Sequence, residues 1–89
     1  MVEAINLYRL AAKQGASRAQ HNLAVKYLYG EGTERNIVKA YMWMVIAATT
    51  DRQSSSARDK IAAKLTPSQV RQAEAEAARC LENHYVGCD

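Results

Sequence analysis

The sequence predicts an all-α domain: an antiparallel helix-pair solenoid of about five helices, closed by a C-terminal capping helix. Three observations carry that expectation. Apolar residues recur at intervals of three and four along most of the chain. Four glycines and one proline punctuate it, too few for a loop-rich or β-turn-rich chain. Two segments 36 residues apart repeat each other position by position.

The first segment, Met1 to Gln14, carries Ala4, Leu7, Tyr8, Ala11 and Ala12 at helical spacing, and Gly15 stops it. No capping residue precedes it. The second helix is expected from Ser17 to Tyr29, with a stripe of Ala19, Leu23 and Tyr27. Gly30-Glu31-Gly32-Thr33 ends it. Asn36 caps a third helix from Ile37 to about Thr50, apolar over most of its circumference and therefore expected to be packed on more than one side. Met42 is expected to lie off its core stripe and be exposed. Arg52 to Ser56 reads as a loop with a cap, followed by a short helix from Ala57 to about Lys64. Thr66-Pro67-Ser68-Gln69 is a capping box, which starts a last helix reaching about Asn83. That helix has Val70, Ala73, Ala77, Cys80, Leu81 and His84 inside and a polar outer face, as a terminal cap requires.

The repeat is read by laying the first helix on the third. Ala4 falls on Ala40, Leu7 on Trp43, Tyr8 on Met44, Ala11 on Ala47 and Ala12 on Ala48. Stacked helix pairs bury together the faces that none of them can bury alone. The expected organisation of the single domain 1–89 follows. Residues 1–15 are the second helix of a partial repeat, and 16–50 a complete repeat. Residues 51–65 form a degenerate short helix, and 66–89 the capping helix and tail.

Composition limits what such a domain can do. At 89 residues it is near the lower end of what buries a useful core. Alanine dominates the apolar residues and phenylalanine is absent, so the core rests on Leu23, Tyr27, Tyr41, Trp43, Ile46, Val70 and Leu81. The charge of +3 is scattered rather than gathered on one face, which argues against nucleic acid as a partner. No apolar run approaches the roughly 20 residues of a membrane span, and Val2-Glu3-Ala4 after Met1 is not a signal peptide. A chain complete as it stands would be cytoplasmic; an upstream signal would place it in the periplasm or outside the cell.

Chemistry has few candidates. Cys80 and Cys88 would lie about 12 Å apart on an unbroken helix. A disulfide needs Cα atoms within roughly 7 Å, so the pair bridges only if the chain doubles back after Asn83, which Gly87 permits. A bridge in an oxidising compartment and two free thiols in a reducing one both remain open. Cys80, His84 and Cys88 recur at four-residue steps but cannot close on one ion, and no oxyanion donor or glycine-rich phosphate loop accompanies a Cys/His pair. No catalytic residue, metal ligand or cofactor is expected.

Binding is the better expectation. Asn22, Lys26 and Tyr29 lie off the core stripe of the second helix, with His21 and Val25 as neighbours, and form the candidate partner surface for a protein or peptide. Ile5, Leu7, Tyr8 and Leu10 belong to an uncovered first helix and are candidates for self-association into a homodimer.

The pattern Ala19-x3-Leu23-Ala24-x2-Tyr27-x2-Gly30-x-Gly32, followed by Asn36-x3-Ala40-x2-Trp43-x3-Ala47-Ala48, resembles the Sel1-like repeat, a relative of the tetratricopeptide repeat. Leu7-Tyr8-x2-Ala11-Ala12-x2-Gly15-x3-Ala19 resembles the end of a preceding repeat. Leu65 to Cys88 resembles the tail that often closes bacterial arrays of that family. The chain departs from the pattern at Ala24, Thr33, Asn36 and Asp51, where family repeats usually have glycine, valine, aspartate and glycine. The resemblance implies a non-catalytic scaffold or adaptor that binds proteins or peptides on a curved helical surface. It also implies that some members are periplasmic or secreted and carry disulfides.

Overall fold

Short polar side chains set most helix starts in this chain, each satisfying a backbone N–H that the first turn leaves unpaired. The computed structural model describes residues 2–88, with side chains from residue 5 onward. Among them are five α-helices: α1 (Val2–Lys13), α2 (Ser17–Tyr29), α3 (Ile37–Ala48), α4 (Arg52–Ala62) and α5 (Pro67–Glu82). Asn36 accepts a hydrogen bond from the Lys39 N–H at the start of α3 (3.0 Å). Asp51 accepts one from the Gln53 N–H at the start of α4 (3.0 Å). At α5 the capping box is complete. The Gln69 N–H donates to Thr66 Oγ1 (3.1 Å), and the Thr66 N–H donates to Gln69 Oε1 (2.9 Å).

The bounds of α3 and α4 differ from the sequence expectation, α4 ending at Ala62 rather than about Lys64. Helix α4 begins at Arg52 rather than Ala57, so the serine run is helical and Asp51 is the cap. The run reads as loop because serine competes for backbone partners. The burial of Ser54 inside the stack supplies what local propensity lacks. Helix α3 ends at Ala48, with Thr49 Oγ1 donating to the Ile46 carbonyl (2.7 Å).

Helix α3 is the centre of the molecule. It packs on α2, α4 and α5, while α1 packs on α2. Seven of its twelve residues are buried, including Trp43, Met44 and Ile46, which are sealed from solvent. Met42 is among them, so the expectation that it is exposed is corrected. A helix enclosed by three neighbours has no free side, and Met42 faces α5 and the tail. Leu81 is corrected in the other direction: it is 36% exposed, because the inward stripe of α5 runs through Ala73, Ala77 and Cys80 instead. His84 also leaves that stripe. It is exposed, in the turn beyond the end of α5.

The first helix keeps one buried stripe. Ile5 and Ala12 are fully buried against α2 and the core, and Tyr8 and Ala11 are partly buried. Leu7 and Leu10 point away, at 66% and 60% exposure. Ile5 is therefore a core residue and is removed from the exposed self-association patch. Ala4, the first of the aligned repeat positions, lies outside the residues whose side chains are described. Gln20, also buried, ties the two helices by donating from Nε2 to the Ala12 carbonyl (3.1 Å).

After α5 the chain hooks back. His84 and Tyr85 take left-handed φ values of 52° and 68°, and Gly87 follows at 77°. The Tyr85 N–H donates to the Cys80 carbonyl (2.8 Å). Cys80 and Cys88 then meet with Cα atoms 5.3 Å apart and are joined as a disulfide. The extents of 33 × 26 × 23 Å leave no room for a long superhelical curve, so any concave face is one helix pair wide.

Candidate functional site

A groove of about 340 Å³ opens between α2 and α4 over the side of α3. Val25, Leu28 and Tyr29 form one wall, Ala57 and Ile61 the other, and Met44 the floor. Helical spacing explains the first wall: three, four and one residue apart, these side chains share one side of α2, with Val25 and Leu28 partly buried against the core and Tyr29 exposed. On α4, Ala57 and Ile61 are one turn apart. Lys60 and Lys64 line the same groove, also one turn apart, and no carboxylate is among the residues lining it. The arrangement is an apolar trough with two ammonium groups along one edge.

Polar contacts at one end hold α2 and α4 together. His21 Nδ1 and Ser54 Oγ share a hydrogen bond of 2.8 Å. Arg18 donates to Gln53 Oε1 (3.1 Å) and reaches Asp51 (3.5 Å). At the other end Gly30 ends α2 at φ 68°, and Arg35 Nε donates to the Leu28 carbonyl (3.1 Å). These contacts join residues 33 and 35 positions apart around Ser54, and sequence pattern alone does not pair them.

The three residues expected to form the partner surface separate in the structure. Tyr29 is 68% exposed and stands in the groove wall. Lys26 turns toward the loop, with Nζ 3.8 Å from Glu31 Oε1, and Asn22 is half-buried outside the groove. Val25, which sequence reasoning placed only as a neighbour, lines the groove. Leu28, Ala57, Ile61, Lys60 and Lys64 were not anticipated, because the opposing wall comes from a helix whose packing partner the sequence does not reveal.

Cysteine chemistry is also placed. The sulfur of Cys80 is bonded to Cys88 and is not a thiolate, so it does not pair with His84 as a nucleophile. No cluster of three or more metal-ligating side chains occurs among the described residues. No helix among them is long and apolar enough to cross a membrane. The acidity of Tyr41 departs from normal. Its pKa is raised by burial and, secondarily, by the Glu74 carboxylate, while Arg58 opposes this. It is a core residue packed toward α4 and α5, not part of the groove.

Stacked helix pairs of this kind, with an open groove between alternate helices, define a tetratricopeptide-like repeat module. The Sel1 repeat family model matches residues 1–15 and 17–49, more than half of the sequence, and the chain belongs to that family. Sel1 repeats generally mediate protein–protein interaction, and the family is a non-catalytic interaction module. Among curated proteins and solved structures, none is significantly similar to this chain.

Proposed function

We propose that the chain is an adaptor that binds a peptide segment of a partner protein in the groove between α2 and α4. One observation carries this reading: an apolar trough over Met44 is edged by Lys60 and Lys64 with no acid in its lining. The complementary occupant is a segment with one large apolar side chain flanked by aspartate or glutamate. The apolar group is released from water in the trough, and the flanking acids gain two charge-assisted contacts. Tyr29 supplies an amphipathic ring at the mouth. Asn22 and Lys26 contribute at most to the rim.

Titration with labelled peptides tests the reading. A peptide with a central leucine between glutamates is expected to bind. The same peptide with lysines in place of glutamates is not. Tyr29→Ala and the double change Lys60→Glu/Lys64→Glu should each weaken binding at least about tenfold, the scale of one lost anchor or ion pair. Unchanged affinity in both variants would place the partner elsewhere.

A second reading, self-association, has its own observation. Leu7 and Leu10 are exposed, yet the α3 residues at the same places in the repeat, Trp43 and Ile46, are sealed. We infer that a second copy covers this face, α1 against α1, with Tyr8 at the margin. Light scattering should show a dimer that Leu7→Glu/Leu10→Glu dissociates. A strict monomer at high concentration would end this reading.

A further inference from the structure

A second cleft lies on the opposite side of α3, under the C-terminal hook, with a volume of about 210 Å³. Lys39 and Met42 enter it from α3, Glu76 and Arg79 from α5. Its remaining wall is Asn83, Val86 and Gly87, sealed at the base by the Cys80–Cys88 disulfide. We propose that this cleft is a binding site for a terminal carboxylate beside a small apolar side chain, and that it exists only while the disulfide is formed.

The charges give the ligand class. Lys39 and Arg79 are two cations in one cleft, and neither forms an ion pair among the described residues. Lys39 is held in place by its Nζ lying 5.6 Å over the Tyr27 ring. Two cationic residues lining one small volume favour an anion, and an arginine fork matches the planar geometry of a carboxylate. Glu76 sits in the same cleft and also forms no ion pair there, so it can accept an amide N–H. Met42 and Val86 leave an apolar flank for a side chain. A carboxylate, an N–H and an apolar group on adjacent atoms describe the last residue of a peptide or a free N-acyl amino acid.

The disulfide makes the site conditional. The hook wall is kept in register by the cystine, by the left-handed His84 and Tyr85, and by the Tyr85 ring resting on the α1–α2 turn at Gly15. A dithiol reductant breaks the S–S bond by transferring two electrons and two protons, yielding two cysteine thiols and the reductant's own disulfide. Left-handed non-glycine residues are unfavourable once the closure that holds them is gone. The wall then leaves, and with it Val86 and Gly87.

Two probes separate the sources of the ligand: N-acetyl-leucine, and an acetylated hexapeptide ending in leucine, each as free acid and as amide. Binding is followed by chemical-shift changes on the oxidised chain. The free acids should shift Arg79, Gly87 and neighbouring amides, and the amides should bind at least about tenfold more weakly. Arg79→Ala and Lys39→Ala should lose a similar factor. Equal shifts from both acids assign a small molecule, and a tighter hexapeptide assigns a protein C-terminus. Reduction of the wild-type chain, or Cys80→Ser/Cys88→Ser with helix content unchanged by circular dichroism, should abolish the shifts. Equal binding of acid and amide, binding that survives reduction, or no shift at millimolar probe would each overturn the proposal.

Discussion

The ring of Tyr85 lies across Gly15, 3.6 Å from where a β-carbon on that glycine would stand. The last turn of the chain thus rests on the first one. Gly15 is at φ 88°, where an L side chain is strained whatever the space around it. Gly15→Ala should therefore cost about 1–2 kcal/mol from the backbone alone. The loss should be the same in a Tyr85→Ala background, because the contact with the ring is of ordinary length. Thermal melts of the two single variants and the double variant measure this. A cost that vanishes without Tyr85 would show that ring collision, not backbone strain, sets it.

The buried amide of Gln20 holds α1 by the Ala12 carbonyl. Gln20→Leu keeps most of the volume but removes one of the two hydrogen bonds to that carbonyl, which still accepts from the Gly15 N–H (3.0 Å), and should cost about 0.5–1.5 kcal/mol. For a domain this small, each 1 kcal/mol corresponds to roughly 4–8 °C in melting temperature. A change under a degree would mean that the Gly15 N–H alone satisfies the carbonyl and that the amide adds nothing.

The capping box at α5 is local and should behave so. Thr66→Ala removes the oxygen that accepts from the Gln69 N–H and should cost about 1 kcal/mol. Thr66→Ser should be nearly neutral. If both lose equally, the methyl group of the threonine matters more than its cap.

Tyr41 gives the molecule an alkaline limit. Its folded pKa is raised above 10.0 by burial and by Glu74. As pH climbs past about 10, the unfolded chain releases the phenolic proton first, so stability falls from there until the folded group titrates as well. Below that range the group contributes its full effect. Tyr41→Phe should flatten this part of the melting-temperature profile between pH 9 and 11, and Glu74→Gln should reduce it. A profile identical to wild type in the phenylalanine variant would remove Tyr41 as the cause.

What the sequence made legible was what residues close in the chain decide among themselves. The capping box of Thr66 and Gln69 carries both of its partners within one turn. Asn36 caps α3, and Gly30 ends α2, for equally local reasons. The matching of Leu7 to Trp43 revealed the repeat, because alignment at a fixed period needs no knowledge of contacts. The start of α4 was not legible. It depends on Ser54 being buried against His21, and serine by itself argues for a loop. Ile5 and Leu7 show the same limit on a smaller scale. Periodicity finds an apolar helix, but only the position of α2 decides that Ile5 turns inward and Leu7 outward. The groove combines Val25, Leu28 and Tyr29 with Ala57 and Ile61, a pairing fixed by how α2 and α4 both lean on α3.

Helix α3 carries one ionisable side chain other than tyrosine, Lys39, and packs on α2, α4 and α5. In a long array each unit meets only its neighbours, and opening spreads from one unit to the next. Here nearly every element leans on the same twelve residues, so losing α3 removes the support of all of them at once. The chain should open as one event through its middle, with fraying confined to its two ends. Amide hydrogens of α3 would then exchange with solvent last and all together, reporting a single global barrier in place of a gradient along the repeats.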